Sequence, residues 1–234
     1  MANLLGMQVE ACMIDLDGTL VDTMGDFDAV VALMLQDLNL PPMGREYLEG
    51  MVGKGSEHLI QCVLKRQMSL VANADLHSPE AQPTQVQLHQ AWEIYQAHYL
   101  RFNGQASAVY PGVFEGLEGL AAMGLPLACL TNKPKDLAQT LLKQKGLAEF
   151  FPIVFGGDSF ERKKPDPLPL HKTCEALGFA PHQVLMVGDS SNDAQAARAA
   201  GCKVVLLTYG YNHGQPIREV EADFHLDALA EILL

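Results

Sequence analysis

The sequence has few cysteines and no pairing pattern among them. No CxxC pair occurs, the number is odd, and most of the cysteines have apolar neighbours: Cys12, Cys62, Cys129, Cys174 and Cys202. This pattern predicts buried, reduced thiols in a cytoplasmic protein rather than a disulfide framework. None of the eight histidines forms an HExxH pair, so the sequence offers no support for a zinc site.

Long hydrophobic runs are also absent. The uncharged stretch from Gly119 to Asn132 is shorter than the ~18 residues of a membrane-spanning helix, and Pro126 interrupts it. The first eight residues contain no basic segment, and Glu10 follows too early for the apolar part of a secretory signal. We therefore expect neither a membrane span nor a secretory leader.

Positive charge is scarce. Lysine and arginine total 16 against 28 acidic residues, which gives a formal net charge of −12. Such a balance repels nucleic acid and anionic membranes, so we expect neither as a partner. An anionic substrate would need a local positive site. The 234 residues, 48% of them hydrophobic, predict a folded protein of one or two domains.

Short apolar runs recur along the chain and predict the buried strands of a parallel sheet. They are Val9 to Ile14, Leu125 to Leu130, Ile153 to Phe155, Val184 to Val187 and Lys203 to Leu207. Amphipathic helical patterns lie between these runs, and glycines such as Gly124 and Gly146 stand where helices would end. This alternation predicts a doubly wound α/β fold.

One segment interrupts the alternation. Between residues 22 and 104 the pattern predicts helices alone, with a loop from Val71 to Pro83. The predicted helices cover Phe27 to Leu38, Ser56 to about Met68, and Leu88 to Phe102. We therefore predict a core of residues 1–21 plus 105–234 and a helical insertion of residues 22–104.

Polar clusters follow the predicted strands at their carboxyl ends, where ligands bind in α/β sheets. They are Asp15-Leu16-Asp17-Gly18-Thr19, Thr131-Asn132-Lys133 and Gly188 to Asp193, with Lys163-Lys164-Pro165 before the helix that leads to the fourth strand. Any one such residue serves equally well as a helix cap or a turn former. The convergence of all the clusters on one edge favours a functional site.

Phosphoryl transfer through an aspartyl-phosphate uses this set of groups. Of the two carboxylates Asp15 and Asp17, one can attack phosphorus, and the other can protonate the leaving group and later activate water. Asp15, Asp189 and a backbone carbonyl near Asp17 are hard oxygen ligands of the kind Mg²⁺ prefers. Thr131 and Asn132 can donate hydrogen bonds to phosphoryl oxygens, and Lys164 adds a positive charge.

These clusters resemble the four ordered motifs of the haloacid dehalogenase superfamily, and the helical insertion is similar to that superfamily's cap domain. The resemblance implies a nucleophile at Asp15 and a general acid and base at Asp17. It further implies phosphate binding by Thr131 and Lys164, with Lys164 rather than Lys163 preceding the proline of the motif. Asp15, the Asp17 carbonyl and Asp189 would bind Mg²⁺, and Asp193 would orient the lysine or a water on the metal.

Within the superfamily, the sequence is most similar to bacterial phosphoglycolate phosphatases. The segments that carry this similarity are 15–23, Tyr110-Pro111-Gly112-Val113, Gly156-Gly157-Asp158 and Tyr209-Gly210-Tyr211-Asn212. The resemblance implies hydrolysis of 2-phosphoglycolate. Val52-Gly53-Lys54-Gly55 resembles the substrate loop of that family, although asparagine is commoner between the glycines. We expect Lys54 to bind the substrate carboxylate, with Arg45 and Lys65 as other candidates and a solvated surface lysine as the alternative for Lys54.

Other functions stay open at this point. A phosphatase of another small phosphate ester and a phosphomutase of the β-phosphoglucomutase kind share the core motifs. A dehalogenase is disfavoured because it has no need of the second acid, Asp17. A scaffold without activity would be expected to have lost part of the motif set. The sequence is compatible with a monomer or a homodimer.

Overall fold

A computed structural model describes residues 2–234 of the chain. The strands are β1 (Ala2–Leu4), β2 (Met7–Val9), β3 (Ala11–Ile14), β4 (Val21–Asp22), β5 (Ala108–Val109), β6 (Leu127–Leu130), β7 (Ile153–Phe155), β8 (Val184–Gly188), β9 (Lys203–Leu207) and β10 (Phe224–Leu226). The helices are α1 (Met24–Asp37), α2 (Arg45–Leu48), α3 (Ser56–Ala72), α4 (Gln85–Phe102), α5 (Val113–Ala122), α6 (Lys135–Gln144), α7 (Leu168–Leu177) and α8 (Ser191–Ala200).

Six strands form the central parallel sheet in the order β10-β9-β8-β3-β6-β7. The predicted doubly wound α/β fold is confirmed. Strand β3 lies between β8 and β6, and its last residue, Ile14, is in register with Val187 and Cys129. Because the strands are parallel, the residues that follow β3, β6 and β8 meet at one edge of the sheet.

Both faces of β3 are buried, as the unbroken apolar run predicts. Cys12 and Ile14 pack into one hydrophobic cluster, and Ala11 and Met13 pack into another on the opposite face. The alternation follows from the two-residue period of a strand. Helix layers cover both faces, so the strand ends at the sheet edge are held in a rigid frame.

The inserted helices α1, α3 and α4 form a third hydrophobic cluster of their own, which includes Met34, Ile60, Val63 and Tyr95. Helix α3 continues to Ala72, so the loop predicted from Val71 begins two residues later. The chain enters and leaves the insertion through β4 and β5, which pair antiparallel. The division at residues 22 and 104 stays a prediction.

Two parts of the sheet region differ from expectation. The run from Val9 to Ile14 is not one strand, because β2 pairs with β1 in a hairpin and Glu10 separates it from β3. Leu5 and Gly6 make the hairpin turn, both with positive φ. This turn was not predicted because leucine is an unusual residue at such a position. Strand β10 was also not predicted; it is a three-residue edge strand.

All five cysteines are free thiols, and four of them are buried. The Sγ atoms of Cys174 and Cys202 lie 3.8 Å apart, a contact between thiols rather than a disulfide bond. None of the helices in residues 2–234 combines the length and the apolar character needed to cross a membrane.

Candidate active site

The loop after β3 places two carboxylates at the edge of the sheet. The backbone N–H of Asp15 donates to the Val187 carbonyl at 2.9 Å, which ties the start of the loop to β8. The N–H groups of Leu20 and Val21 both donate to the carbonyl of Leu16 at 3.0 Å, so the chain turns back immediately. The turn presents Asp15 and Asp17 to the same cavity.

Gly18 is required in this turn for two reasons. Its φ is +86°, and a Cβ atom there would lie 2.2 Å from Oδ2 of Asp189. A Cβ on Gly210 would meet the same oxygen at 2.2 Å. The two glycines therefore let the backbone close around the Asp189 carboxylate, which accepts hydrogen bonds from Thr19 Oγ1 at 2.8 Å and from the Tyr211 N–H at 2.6 Å.

Three buried carboxylates lie together at this edge. Oxygens of Asp15, Asp189 and Asp193 are all within 4.8 Å of one another. Burial, with repulsion from Asp193 and Asp17 and only partial compensation by Lys164, raises the pKa of Asp15 to about 6. Burial and the charges of Asp193 and Asp15 raise the pKa of Asp189 well above its usual value.

This cluster fits a hard divalent cation. Oδ1 of Asp15 is buried and has no hydrogen-bond partner among the described residues, although it lies 3.1 Å from the Lys164 ammonium. That contact is therefore an ion pair without the direction of a hydrogen bond. An oxygen-only set with an unpartnered carboxylate oxygen suits Mg²⁺ rather than Zn²⁺.

Lys164 is buried between the carboxylates. Its Nζ donates to the Leu130 carbonyl at 2.8 Å and to Asp193 Oδ1 at 2.6 Å. Burial alone would lower the pKa of Lys164, but the neighbouring Asp15 and Asp193 outweigh it and raise that pKa, so the side chain is a permanent cation. The following peptide bond, to Pro165, is cis.

Asp193 is saturated with hydrogen bonds. Besides Lys164, its Oδ2 accepts from the Ser190 hydroxyl at 2.7 Å and from the Ser190 N–H at 3.1 Å. These contacts fix the orientation of the Asp193 carboxylate beside Lys164, which supports a positioning role for Asp193. The role expected from the sequence, that Asp193 orients the lysine or a water on the metal, stays a prediction.

Thr131 and Asn132 follow β6, as predicted, and both line the cavity with Asp15. The Asn132 side chain differs from expectation, because its Nδ2 donates to the carbonyls of Lys164 at 2.9 Å and Gly53 at 3.2 Å. Its amide group is thus occupied in linking the sheet edge to the inserted helices. In this arrangement the side-chain amide of Asn132 is not free to bind phosphate.

Lys133 is the main residue to which sequence reasoning gave no role. Its side chain is 2% exposed, and its Nζ lies 3.1 Å from Asp17 Oδ1 and 3.3 Å from Oδ2. It also donates to the hydroxyl of Tyr99 on α4 and lies 4.7 Å from the centre of that ring. The only signal in the sequence was its position directly after Thr131-Asn132.

Lys54 is not where the sequence predicted it. The flanking glycines, Gly53 and Gly55, line the cavity, but Lys54 is exposed and does not. Both flanking glycines have positive φ. The other proposed cations, Arg45 and Lys65, do not line the cavity either.

Two further residues hold the substrate-loop segment against the sheet edge. Asn192, at the start of α8, donates to the Gly53 carbonyl at 3.0 Å and contacts His213 at 3.2 Å. His213 contacts the Val52 carbonyl at 2.9 Å through Nδ1. The inserted helices are therefore closed over the site. The cavity beneath them has a volume of about 50 Å³ and is partly open to solvent.

Comparison with known proteins agrees with this geometry. A family model for haloacid dehalogenase-like hydrolases matches residues 12–207. The chain belongs to the haloacid dehalogenase-like hydrolases. It is 40% identical over 228 residues to the phosphoglycolate phosphatase of Thiobacillus denitrificans, an alignment that covers 97% of this chain and 96% of the relative. The phosphoglycolate phosphatase of Nitrosospira multiformis is 40% identical over 96% of this chain and 94% of its own length.

Solved structures of this family have the same fold. A predicted phosphoglycolate phosphatase from Haemophilus somnus superposes with a TM-score of 0.89 at 35% identity, covering 97% of both chains. The similarity to the bacterial phosphoglycolate phosphatases is thereby confirmed. Together with the relatives' activity, it identifies this haloacid dehalogenase-like hydrolase as a phosphoric monoester hydrolase.

Proposed function

We propose that this hydrolase cleaves 2-phosphoglycolate to glycolate and phosphate through a phosphoryl group carried on Asp15. The observation that carries the proposal is the placement of Asp15 and Asp17 in one closed cavity with Thr131. Lys164 lies behind Asp15 at 3.1 Å. The name shared by the relatives supports this substrate.

In the first step, a carboxylate oxygen of Asp15 attacks phosphorus, and the bond from phosphorus to the ester oxygen breaks. Asp17 gives its proton to that departing oxygen, so glycolate leaves with a hydroxyl group. In the second step, Asp17 takes a proton from water as the water oxygen attacks phosphorus. The bond to Asp15 then breaks, which releases phosphate, restores the Asp15 carboxylate and leaves Asp17 protonated for the next cycle.

The surrounding residues stabilise negative charge during both steps. Thr131 is placed to donate its hydroxyl to a phosphoryl oxygen, and Lys164 supplies a fixed positive charge beside Asp15. Asp193 keeps the Lys164 ammonium in position through the 2.6 Å hydrogen bond. Asp15, Asp189 and the Asp17 carbonyl would hold Mg²⁺. When bound, the ion supplies charge neutralisation between the Asp15 carboxylate and the phosphate dianion.

The closed cavity supports a small leaving group. The cavity under the inserted helices is small, about 50 Å³, which favours glycolate over a hexose or a nucleoside. Closure also excludes bulk water from the phosphorylated Asp15, and reopening releases the products. We place the enzyme in the cytoplasm, acting on a soluble phosphorylated metabolite, as a monomer or a homodimer.

Steady-state kinetics test the substrate. We expect kcat/KM for 2-phosphoglycolate to exceed that for ethyl phosphate and for glucose 6-phosphate. Acid quenching during turnover should trap a phosphoryl adduct on the peptide that contains Asp15, detectable by mass spectrometry. In ¹⁸O-labelled water, the label should enter free phosphate, which distinguishes hydrolysis from phosphoryl return to a sugar. A higher kcat/KM for the hexose phosphate would contradict the substrate, and a missing adduct would contradict the covalent route.

A further inference from the structure

The cavity contains a buried cation that phosphoryl transfer at Asp15 does not use. Among the described residues that line the cavity beside Asp15, Lys133 alone carries a positive side chain. Its ammonium group faces the rings of Tyr99 and Phe27, with 4.7 and 5.4 Å to the ring centres. Aromatic faces stabilise a desolvated cation. A lysine held in this way is preorganised to bind an anion.

Two tyrosines, Tyr99 and Tyr95, line the same cavity. The Tyr99 oxygen accepts a hydrogen bond from Lys133, which leaves its own O–H able to donate. The hydroxyl of Tyr95 is buried and has no hydrogen-bond partner among the described residues. Its side chain is 1% exposed, and its ring stacks on Tyr99 with centres 5.3 Å apart. Burial raises the pKa of both tyrosines, so both remain donors.

An unpartnered buried hydroxyl is costly unless something occupies it. In the free protein, the carboxylate of Asp17 is the anion beside Lys133, held through both of its oxygens. A second carboxylate, brought by a ligand, would have the same charge and the same planar pair of oxygens. It could take over contacts with Lys133 and free Asp17 to face the leaving oxygen.

We infer that Lys133, Tyr99 and Tyr95 form the site that binds the carboxylate of a small phosphorylated carboxylic acid. The inference rests on the proposed phosphatase function and identifies which residues distinguish this substrate from other phosphate esters. Carboxylate binding is thus assigned to the buried Lys133, at the sheet edge, rather than to the exposed Lys54 of the inserted loop. The inserted helices contribute the two hydroxyls, so the carboxylate site is complete only when they are closed.

Two inhibitors that cannot be hydrolysed separate carboxylate binding from catalysis. 3-Phosphonopropionate keeps both anionic groups of phosphoglycolate, whereas propylphosphonate lacks the carboxylate. The ratio of their inhibition constants, measured on the full chain with Mg²⁺, reports the preference for a carboxylate. We expect the wild-type enzyme to prefer the carboxylate compound by about ten-fold or more, because hydrogen bonds to a charged group are strong.

Tyr95→Phe is the sharpest variant, because it removes a hydroxyl that has no partner in the free protein and leaves the ring in place. It should reduce the inhibitor ratio several-fold, and Lys133→Met should bring the ratio close to one. Tyr47→Phe, on the exposed side of the insertion, and Lys54→Met, outside the cavity, should keep the wild-type ratio. If Lys133→Met does not fold, the inhibitor ratio of Tyr95→Phe alone tests the carboxylate site.

The outcomes distinguish this inference from the proposed function. A strong wild-type preference that survives both Tyr95→Phe and Lys133→Met would overturn the carboxylate site and leave the substrate proposal standing. A wild-type ratio near one would overturn both. With phosphoglycolate, Lys133→Met should raise KM more than it lowers kcat. An equal loss of kcat for phosphoglycolate and an aryl phosphate, at unchanged KM, would mean that Lys133 only positions Asp17.

Discussion

On the sheet side of the cavity, buried carboxylates outnumber cations, whereas on the side of the inserted helices one buried cation is surrounded by aromatic rings. Asp15, Asp189 and Asp193 lie together, and the Lys164 ammonium pairs with two of them, Asp15 and Asp193. Lys133 has one carboxylate partner, Asp17, and the rings of Tyr99 and Phe27. The sheet side therefore suits a metal cation, and the opposite side suits an anion.

The same contrast explains how a chain of net charge −12 accommodates a doubly anionic substrate. The general field is repulsive, so binding depends on charges that are fixed and desolvated. Lys133 and Lys164 are each 2% exposed in their side chains, and water screens them little. In the proposed complex, each would bind one anionic end of the substrate.

The largest expected effect comes from the sheet side. Asp15→Asn should lower kcat by roughly 10⁴-fold or more, because it removes the attacking group. The metal-free variant should nevertheless be more stable to heat at pH 7.5 than the metal-free wild type, since a buried charge in a repulsive cluster is gone. Thermal melts in EDTA measure this. A variant that is less stable than the wild type would contradict the view that the carboxylates strain one another.

Asp17 lies where the two sides meet, and its effect should depend on the leaving group. Asp17→Asn keeps an acceptor for Lys133 but cannot donate a proton, so alkyl esters should be cleaved about 10²–10⁴-fold more slowly. For an aryl phosphate, whose leaving group needs no proton, the loss in single-turnover phosphorylation should be much smaller. Equal losses for both esters would show that Asp17 is not the acid.

The residues on the sheet side could be predicted from the local sequence pattern. Asp15, Thr131 and Asp189 directly follow buried strands. Parallel pairing of the strands brings such positions together independently of the loop conformations. The Lys133 contacts depend instead on pairs distant in sequence, 116 residues for Asp17 and 34 for Tyr99. The sequence carries no local mark of which residue of the inserted helices faces which strand end. The role expected for Lys54 depended on a contact of the same kind, and the structure does not place Lys54 among the residues that line the cavity.

The stability of the folded chain should depend jointly on pH and on metal binding, through the carboxylates of the sheet side. The pKa of Asp15 is raised to about 6 in the folded chain from about 3.9 when unfolded. Protonated Asp15 therefore stabilises the metal-free fold below about pH 4, and this contribution is lost as the pH rises to about 6. The raised pKa of Asp189 acts in the same direction.

Mg²⁺ should offset that loss, because it binds the ionised carboxylates of the folded chain. We expect the difference in Tm between Mg²⁺ and EDTA to be larger at pH 7.5 than at pH 5. Asp15→Asn should reduce both the difference and its pH dependence. Activity should disappear in EDTA and return with Mg²⁺. A Tm difference that is the same at both pH values would contradict a metal bound by these carboxylates.

The smallest expected effect tests how firmly the inserted helices are closed. The Gly53 carbonyl accepts hydrogen bonds from Asn192 at 3.0 Å and Asn132 at 3.2 Å, and these bonds tie the inserted segment to the sheet edge. Asn192→Ala removes one of them without touching the attacking group or the proton donor. One hydrogen bond is worth about 1 kcal/mol, so KM for phosphoglycolate should rise about five-fold.

The change in kcat shows whether Asn192 acts on the closure of the inserted helices or on the phosphoryl-transfer site. If reopening limits turnover, a weaker closure should leave kcat unchanged or raise it slightly. Gln195→Ala, an exposed change on the same helix, is the matched control and should alter neither constant. Steady-state kinetics on both variants measure the comparison. A large fall in kcat for Asn192→Ala, with KM unchanged, would mean that Asn192 shapes the phosphoryl-transfer site itself rather than the closure over it.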